Sequence, residues 1–227
     1  MIQYSDRMRW ITAALFVFCI AAGSVSAQEE WALHRATSTA ELRETADEMV
    51  QRGLTPVGLD YHDERGLTML FTNTPWWPAG AYRIEDIGEL DKLTQVVTER
   101  IREGWLPMDL SLQDGRYIVL FADVPERVAG WRVIGSEPSL MEIQSTISTY
   151  RSEGFTTVGL SRVDDARVAH LFLALPERDF PLPTVVGIPR DAQEAAATIQ
   201  SMVDDGWFPV GVTTTDEEII LAFLRAQ

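Results

Sequence analysis

The sequence predicts an α+β protein built from four tandem β-α-β-β repeats of about 50 residues. Four glycines recur at intervals of 51, 50 and 52 residues, and each is followed by a large apolar residue and an extended apolar run. A phenylalanine lies 17 or 18 residues after each glycine, and a short apolar segment begins 21 to 23 residues before it. The glycines are Gly53, Gly104, Gly154 and Gly206, and the phenylalanines are Phe71, Phe121, Phe172 and Phe223. A period shared by several landmarks indicates one structural unit made four times.

Each repeat is predicted to open with a short strand and to continue with an amphipathic helix. In the first repeat, Ser38 with Glu41 three residues later is a capping box, which satisfies free backbone N–H groups at a helix start. Leu42, Ala46 and Met49 then recur at helical spacing and form one apolar stripe. The glycine ends the helix, because glycine adopts the left-handed conformation at little cost. The opening residues are Trp31, Tyr82, Trp131 and Val185, and the later stripes are Leu93, Val97 and Ile101, then Ile143, Ile147 and Tyr150, then Ala195, Ile199 and Met202.

After the glycine, each repeat is predicted to form a hairpin. The second strand of each hairpin is almost wholly apolar, which is typical of a central strand, whereas the first contains a proline in three repeats and belongs at a sheet edge. We therefore expect an antiparallel sheet in the order opening strand, second hairpin strand, first hairpin strand, with the helix on one face. The predicted hairpin strands are 55–61 and 67–73, 106–112 and 117–123, 156–162 and 168–174, and 208–214 and 218–224.

A finer alternation distinguishes odd from even repeats. The glycine and the phenylalanine are 18 residues apart in repeats one and three and 17 apart in repeats two and four. Two residues after the glycine, the odd repeats carry Thr55 and Thr156, whereas the even repeats carry Leu106 and Phe208. This alternation favours duplication of a two-repeat block, and it predicts two similar lobes, 28–127 and 128–227, rather than a uniform solenoid or ring.

The first 27 residues have the pattern of a cleavable signal peptide. Arg7 and Arg9 precede an apolar stretch, and Val25 and Ala27 are the small residues that a signal peptidase reads, which predicts cleavage before Gln28. The competing interpretation is a membrane anchor, which needs about 20 apolar residues. The stretch here is shorter, so we expect an exported protein, periplasmic or secreted, without a stable membrane anchor after cleavage.

The composition of the remaining 200 residues excludes several classes of protein. They contain no cysteine, so stability must come from an apolar core rather than from disulfides. Without Asp6, Arg7 and Arg9, the 34 acidic and 19 basic residues of the chain become 33 and 17. A surface this acidic disfavours nucleic acid and anionic membranes as partners.

The three histidines do not form a catalytic or metal-binding pattern. His170 stands at an otherwise apolar strand position, where a core or sheet-surface side chain is the expected alternative to a ligand. His62 lies in an acidic turn with Asp60, Asp63 and Glu64, which is either a loose divalent-cation site or a solvated turn. We favour the solvated turn, because the other turns are acidic too.

The sequence lacks the motifs of nucleophilic catalysis and of phosphate binding. It has no Gly-x-Ser-x-Gly elbow, and the predicted mature chain has no thiol. It also lacks a glycine-rich phosphate loop. A pair of carboxylates brought together by the fold remains open. We therefore expect no cofactor, no metal and no assigned catalytic residue.

Two departures from the repeat are the candidate binding residues. Asp109 replaces the glycine that the other repeats carry at this position, where glycine predicts a bulge or a close backbone approach. Trp76 and Trp77 stand in a proline-bounded linker between the first two repeats. They are candidates for a partner or carbohydrate contact, and the alternative is a linker packed over the protein. For Trp105 and Trp207, which follow helix-ending glycines, packing on the helix explains the residue better than ligand stacking.

The aromatic start, the helix ending in Gly-Trp, and the "PVGL" segment before a short hairpin resemble small uncharacterised bacterial β-α-β-β domains. They also resemble bacterial tandem-repeat modules found in exported proteins, some of which are attached to hydrolases. This resemblance implies the fold and carries no catalytic residues. It leaves two hypotheses: a non-catalytic binding module whose partner is an envelope protein, peptide or glycan, or an enzyme or hydrolase-accessory module with a site in a cleft between the lobes.

Overall fold

The computed structural model confirms the α+β class and the four β-α-β-β repeats. It describes residues 30–62, 66–77, 80–113, 115–124, 126–164, 166–178, 180–189, 191–215 and 218–225. The predicted signal peptide, 1–27, lies outside the described residues. Within the described part of the chain, none of the helices is long and apolar enough to cross a membrane.

The four repeats contain the same elements in the same order. Repeat 1 comprises β1 (Trp31–Ala36), α1 (Thr39–Gln51), β2 (Thr55–His62) and β3 (Gly66–Thr72); repeat 2 comprises β4 (Tyr82–Gly88), α2 (Leu90–Arg102), β5 (Trp105–Gln113) and β6 (Arg116–Asp123); repeat 3 comprises β7 (Gly130–Ser136), α3 (Leu140–Ser152), β8 (Thr156–Asp164) and β9 (Arg167–Ala174); and repeat 4 comprises β10 (Thr184–Pro189), α4 (Ala192–Asp204), β11 (Trp207–Thr214) and β12 (Glu218–Arg225).

Each repeat forms its own three-stranded antiparallel sheet in the predicted strand order. The second hairpin strand is central, so that the sheets read β1-β3-β2, β4-β6-β5, β7-β9-β8 and β10-β12-β11. We call β2, β5, β8 and β11 the inner strands and β1, β4, β7 and β10 the outer strands. Every inner strand carries a register shift of its pairing, a β-bulge, immediately before residue 58, 109, 159 or 211. We call these four residues the bulge position, and the bulge predicted there is confirmed.

The capping residue predicted at the start of α1 and the glycines predicted to end the four helices are confirmed, and α3 and α4 begin in the same way as α1. The side chains of Ser38, Ser139 and Asp191 accept hydrogen bonds from backbone N–H groups of the first helical turn, whereas Glu89 before α2 makes no such bond. All four helix-ending glycines have positive φ, between 81° and 93°. These glycines therefore turn the chain from each helix into its inner strand.

The helix ends also explain the alternation between odd and even repeats. In the odd repeats the N–H of the residue after the glycine returns to the helix, with Leu54 N bonded to Met49 O and Phe155 N to Tyr150 O, both at 3.0 Å. This is the longer bond of a Schellman ending. In the even repeats that residue, Trp105 or Trp207, is instead the first residue of the inner strand. The sequence alternation thus corresponds to two ways of leaving the helix.

The four repeats contact one another around a common centre. Inner strand β2 contacts β5 and β11, and β8 contacts the same two strands. On the outside, α3 contacts the outer strand β10 of the next repeat. Side-chain hydrogen bonds link the other three helices to the outer strand that follows, which for α4 is β1 of the first repeat. Equivalent hydrogen bonds mark three of these interfaces: Tyr82 Oη to Asp47 Oδ1 at 2.7 Å, Trp131 Nε1 to Thr98 Oγ1 at 3.3 Å, and Trp31 Nε1 to Gln200 Oε1 at 3.0 Å. The repeats therefore form a closed ring.

The interface between α3 and β10 uses a different residue, because Val185 stands where the other repeats have an aromatic side chain. Gln144 donates to Pro183 O and accepts from Val185 N, each at 3.1 Å. Its side-chain amide thus bonds to the open edge of β10 as a neighbouring strand would.

The pairing of repeats into two lobes, 28–127 and 128–227, stays a prediction. Inner strands contact each other within each predicted lobe, as β2 does with β5 and β8 with β11. They also contact each other between the predicted lobes, as β5 does with β8 and β11 with β2. The odd repeats also meet through a direct contact between β2 and β8.

Candidate functional site

The inner strands of different repeats lie close together at the bulge position. A Cβ atom added to Gly58 would lie 3.0 Å from Val212 Cγ1 of repeat 4, and one added to Gly211 would lie 3.6 Å from the backbone nitrogen of Leu160 in repeat 3. A Cβ atom on Gly159 would lie 2.7 Å from Asp109 Cγ of repeat 2. A close approach is therefore confirmed at Gly58 and Gly159, and it occurs between repeats, whereas a Cβ atom on Gly211 would make ordinary contacts.

Asp109 fills the space that glycine leaves open in the other repeats. Its side chain is completely buried, and its two oxygens accept hydrogen bonds from the backbone N–H groups of Leu59 and Leu110, each at 2.8 Å. The carboxylate thus joins the inner strand of repeat 2 to that of repeat 1. Because Asp109 is enclosed, a partner arriving from solvent does not reach it in this structure.

A second buried carboxylate, Asp60, joins repeat 1 to repeats 3 and 4. Its Oδ1 accepts from Arg162 N at 3.0 Å, and its Oδ2 accepts from Thr214 N at 2.9 Å and Thr214 Oγ1 at 2.6 Å. The sequence predicted Asp60 in an acidic turn and gave no indication that its carboxylate bonds to other repeats. The available signal was its place two residues after the bulge position, where all four repeats carry a small polar residue.

Burial determines the ionisation of both carboxyl groups. It raises the pKa of Asp60 to about 6, against the lowering effect of the bonds from Thr214 and Arg162. Burial also raises the pKa of Asp109 well above its usual range, and the nearby charge of Asp60 raises it further. The sequence left open whether the fold brings two carboxyl groups together. Asp60 and Asp109 are such a pair, since the charge of Asp60 acts on Asp109. They are enclosed among backbone N–H donors and have no described access to a substrate.

His170 is buried on the central strand of sheet 3, as expected for a core side chain. Its ring stacks on Phe172 at 5.7 Å, and burial lowers the pKa of His170 to about 4, so the imidazole is neutral. The Nε2 atom lies 2.8 Å from Ser136 Oγ, which itself donates to Glu137 O at 3.1 Å. The imidazole tautomer decides which of the two atoms donates. His170 Nδ1 is buried and has no hydrogen-bond partner among the described residues, so the pair lacks the third group that orients a catalytic base.

Trp77 and Trp76 lie where the linkers between repeats meet. Trp77 is completely buried and stacks on Phe180 of the third linker, with ring centroids 5.5 Å apart and planes 25° apart. Trp76 is only partly buried. It packs edge-on against Phe208 at 5.5 Å, and Arg178 donates to its carbonyl oxygen at 2.9 Å. Of the three predicted binding residues, only Trp76 presents surface to solvent.

Trp105 and Trp207 each have an arginine of a strand over one ring face, while their packing on their own helices stays a prediction. The guanidinium group of Arg83 lies 4.0 Å from the centroid of Trp105, and that of Arg225 lies 5.5 Å from the centroid of Trp207. An arginine over one ring face is a stabilising cation–π contact. That face is therefore not open to a stacking ligand.

A shallow groove of about 580 Å³ runs between α1 and β4. Its polar lining already serves the interface between repeats 1 and 2, since Tyr82 Oη bonds to Asp47 and to Arg43 O, while Arg43 Nη2 donates to Ile84 O at 2.8 Å. The groove is thus mainly a seam between repeats.

Asp63 and Glu64 of the acidic turn that follows His62 lie outside the described residues. Among the residues that are described, no group of three or more histidine, cysteine, aspartate or glutamate side chains is placed to hold a metal ion.

No protein-family model matches the chain, and no curated protein is significantly similar to it.

We predict that Gly159→Ala destabilises the protein, whereas Gly211→Ala does not. The methyl group on residue 159 collides with the Asp109 carboxylate, an overpacking that costs about 1–3 kcal/mol. The methyl group on residue 211 makes ordinary contacts. Urea denaturation at neutral pH measures both free energies of unfolding.

The double variant Gly159→Ala, Asp109→Gly provides the control. Removing the carboxylate relieves the side-chain part of the collision and leaves the 2.8 Å approach to Asp109 Cα, so the two changes together should cost less than the sum of the single costs but more than Asp109→Gly alone. Equal stability of the two alanine variants, or strictly additive costs, would contradict the close approach at residue 159.

The buried Asp60 carboxyl predicts a stability contribution that depends on pH. Its pKa is raised from 3.8 to about 6 in the folded state, so the contribution is present at low pH and is lost as pH rises between about 4 and 6. The free energy of unfolding of the wild type minus that of Asp60→Asn should therefore fall by about 3 kcal/mol from pH 3.5 to pH 7.

Asp164→Asn is the matched control of opposite sign. Asp164 is in a surface turn, and its hydrogen bond with the Arg167 guanidinium lowers its pKa. Its contribution is therefore lost as pH falls. A difference for Asp60→Asn that is flat, or that rises with pH, would show that burial does not dominate at Asp60.

Proposed function

We propose that the protein is an exported, non-catalytic binding module of the bacterial cell envelope, with a protein, peptide or glycan as its partner. The observation that carries the proposal is that Trp76 is only partly buried. It is an aromatic side chain with exposed surface, held rigidly at the end of the ring where the linkers meet.

Three buried groups whose pKa values are shifted by burial support a non-catalytic role. Asp60 and Asp109 are enclosed at the centre, where each carboxylate accepts hydrogen bonds from backbone N–H groups of another repeat. His170 stacks on Phe172 and bonds to Ser136, while its Nδ1 atom has no hydrogen-bond partner among the described residues that would orient it as a base. All three have structural partners that account for them.

The surroundings of Trp76 support a contact surface. The ring packs on Phe208 and lies 6.3 Å from Phe180, while Arg178 holds the backbone and forms an ion pair with Glu126. A ring held in this way loses little conformational freedom when a partner covers it. Tryptophan is also among the residues that contribute most to binding, because it offers a large apolar area and one N–H donor.

The alternative function, an enzyme or hydrolase-accessory module, requires polar side chains that converge on an open cleft between lobes. Polar side chains do converge in this protein, but at a filled centre. The described residues thus give the alternative no support.

We predict that Trp76→Ala weakens capture of the partner at least tenfold. The test uses the protein recovered from the periplasm or medium, whose mass should correspond to an N-terminus at Gln28, and two probes: envelope extract and purified peptidoglycan sacculi. Extract and sacculi distinguish a protein or peptide partner from a glycan.

Met141→Ala is the matched control, since Met141 is 75% exposed on α3. Trp77→Ala is unsuitable, because loss of a completely buried tryptophan destabilises the fold. A photo-crosslinking residue at position 76, compared with one at position 141, identifies the partner directly. Equal capture by the two alanine variants, with both folded by circular dichroism, would contradict the proposal.

A further inference from the structure

A layer of buried hydroxyl groups crosses the centre of the ring. Two residues after the bulge position, repeats 2, 3 and 4 carry Ser111, Ser161 and Thr213, all at most 1% exposed. The side-chain oxygen of each is buried and has no hydrogen-bond partner among the described residues. Asp60 holds the same position in repeat 1. We call these four residues the polar layer.

The position of the polar layer places it between repeats. Side chains alternate along a strand, so a residue two after the bulge position lies on the same face as the bulge position itself. At Gly58, that face meets repeat 4. The carboxylate of Asp60 confirms the direction, because it reaches the backbone of Arg162 and Thr214 in two other repeats. The inner strands that carry the layer contact one another.

A buried hydroxyl group without a partner is costly, and three at equivalent positions call for one explanation. Buried polar groups of this kind are commonly satisfied by enclosed water, which makes about three hydrogen bonds to otherwise unpaired atoms. The hydroxyl groups can donate to and accept from water. A carboxylate oxygen of Asp60 that already receives one N–H still has a free lone pair.

We propose that the polar layer binds ordered water, which bridges the hydroxyl groups of Ser111, Ser161 and Thr213 at the junction of the four repeats. The bound water would hydrogen-bond repeat 2 to repeats 3 and 4, which the Asp109 and Asp60 carboxylates do not do directly.

Thr213→Val tests the proposal in residues 28–227, because valine keeps the shape and removes the hydroxyl group. If water bonds to Thr213, the variant loses hydrogen bonds and its Tm should fall by about 2–4 °C. If the hydroxyl group is unpaired, its removal should raise Tm, and that result would overturn the proposal. Thr214→Val is the reference, since its hydroxyl group bonds directly to Asp60 and its loss should lower Tm in either case.

Magnetic relaxation dispersion of solvent deuterons provides the second measurement, because it detects water held inside a protein. The variant Ser111→Ala, Ser161→Ala, Thr213→Val should lose part of the signal shown by the wild type. An undiminished signal from the folded triple variant would overturn the proposal. Wild-type Tm should also be the same in sodium and choline chloride. A sodium-dependent rise that Thr213→Val abolishes would identify a cation instead of water.

Discussion

The close approach of four inner strands at one position is the constraint on which the rest of the structure depends. A side chain at Gly58 or Gly159 would crowd the neighbouring repeat, whereas Asp109 fits at the same position because its carboxylate accepts backbone hydrogen bonds. Gly159 and Asp109 illustrate both solutions at one interface, since the carboxylate of one occupies the room left by the other. The β-bulge that precedes this position in all four repeats re-aims the strand toward its neighbours.

Ring closure also addresses the open edges of four small sheets. A three-stranded sheet has two edges of unpaired backbone groups, which invite aggregation unless they are covered. At the inner edges, backbone N–H groups meet Asp109 and Asp60. At outer edges, the preceding helix supplies Arg43 to Ile84 O and Gln144 to the backbone of β10. The hydrogen bond between α4 and β1 gives the outer edge of the first repeat a helix from the fourth.

Features that depend on local spacing could be predicted from the sequence. The capping residues, the helix-ending glycines, the strand order and the bulge all follow from patterns within one repeat, and the structure confirms them. Closure of the ring depends on contacts such as Trp31 with Gln200, 169 residues apart, which no local pattern encodes. The same distinction applies to the candidate site. The replacement of glycine by Asp109 can be read from the sequence. The burial of Trp77 and the hydrogen bonds of Asp60 arise only from packing between repeats.

The ring also clarifies what a binding function would require. Its centre is filled by structural polar groups, so a partner must bind the outside, where Trp76 is the predicted contact. Pulsed electron paramagnetic resonance tests the closed ring directly, since residues 28–227 contain no cysteine to compete with introduced labels. Spin labels placed pairwise at one exposed position of the four helices, residues 44, 95, 145 and 197, report the neighbour distances. A closed ring predicts that the distance from 197 to 44 is similar to the other three, and a much longer one would contradict the account.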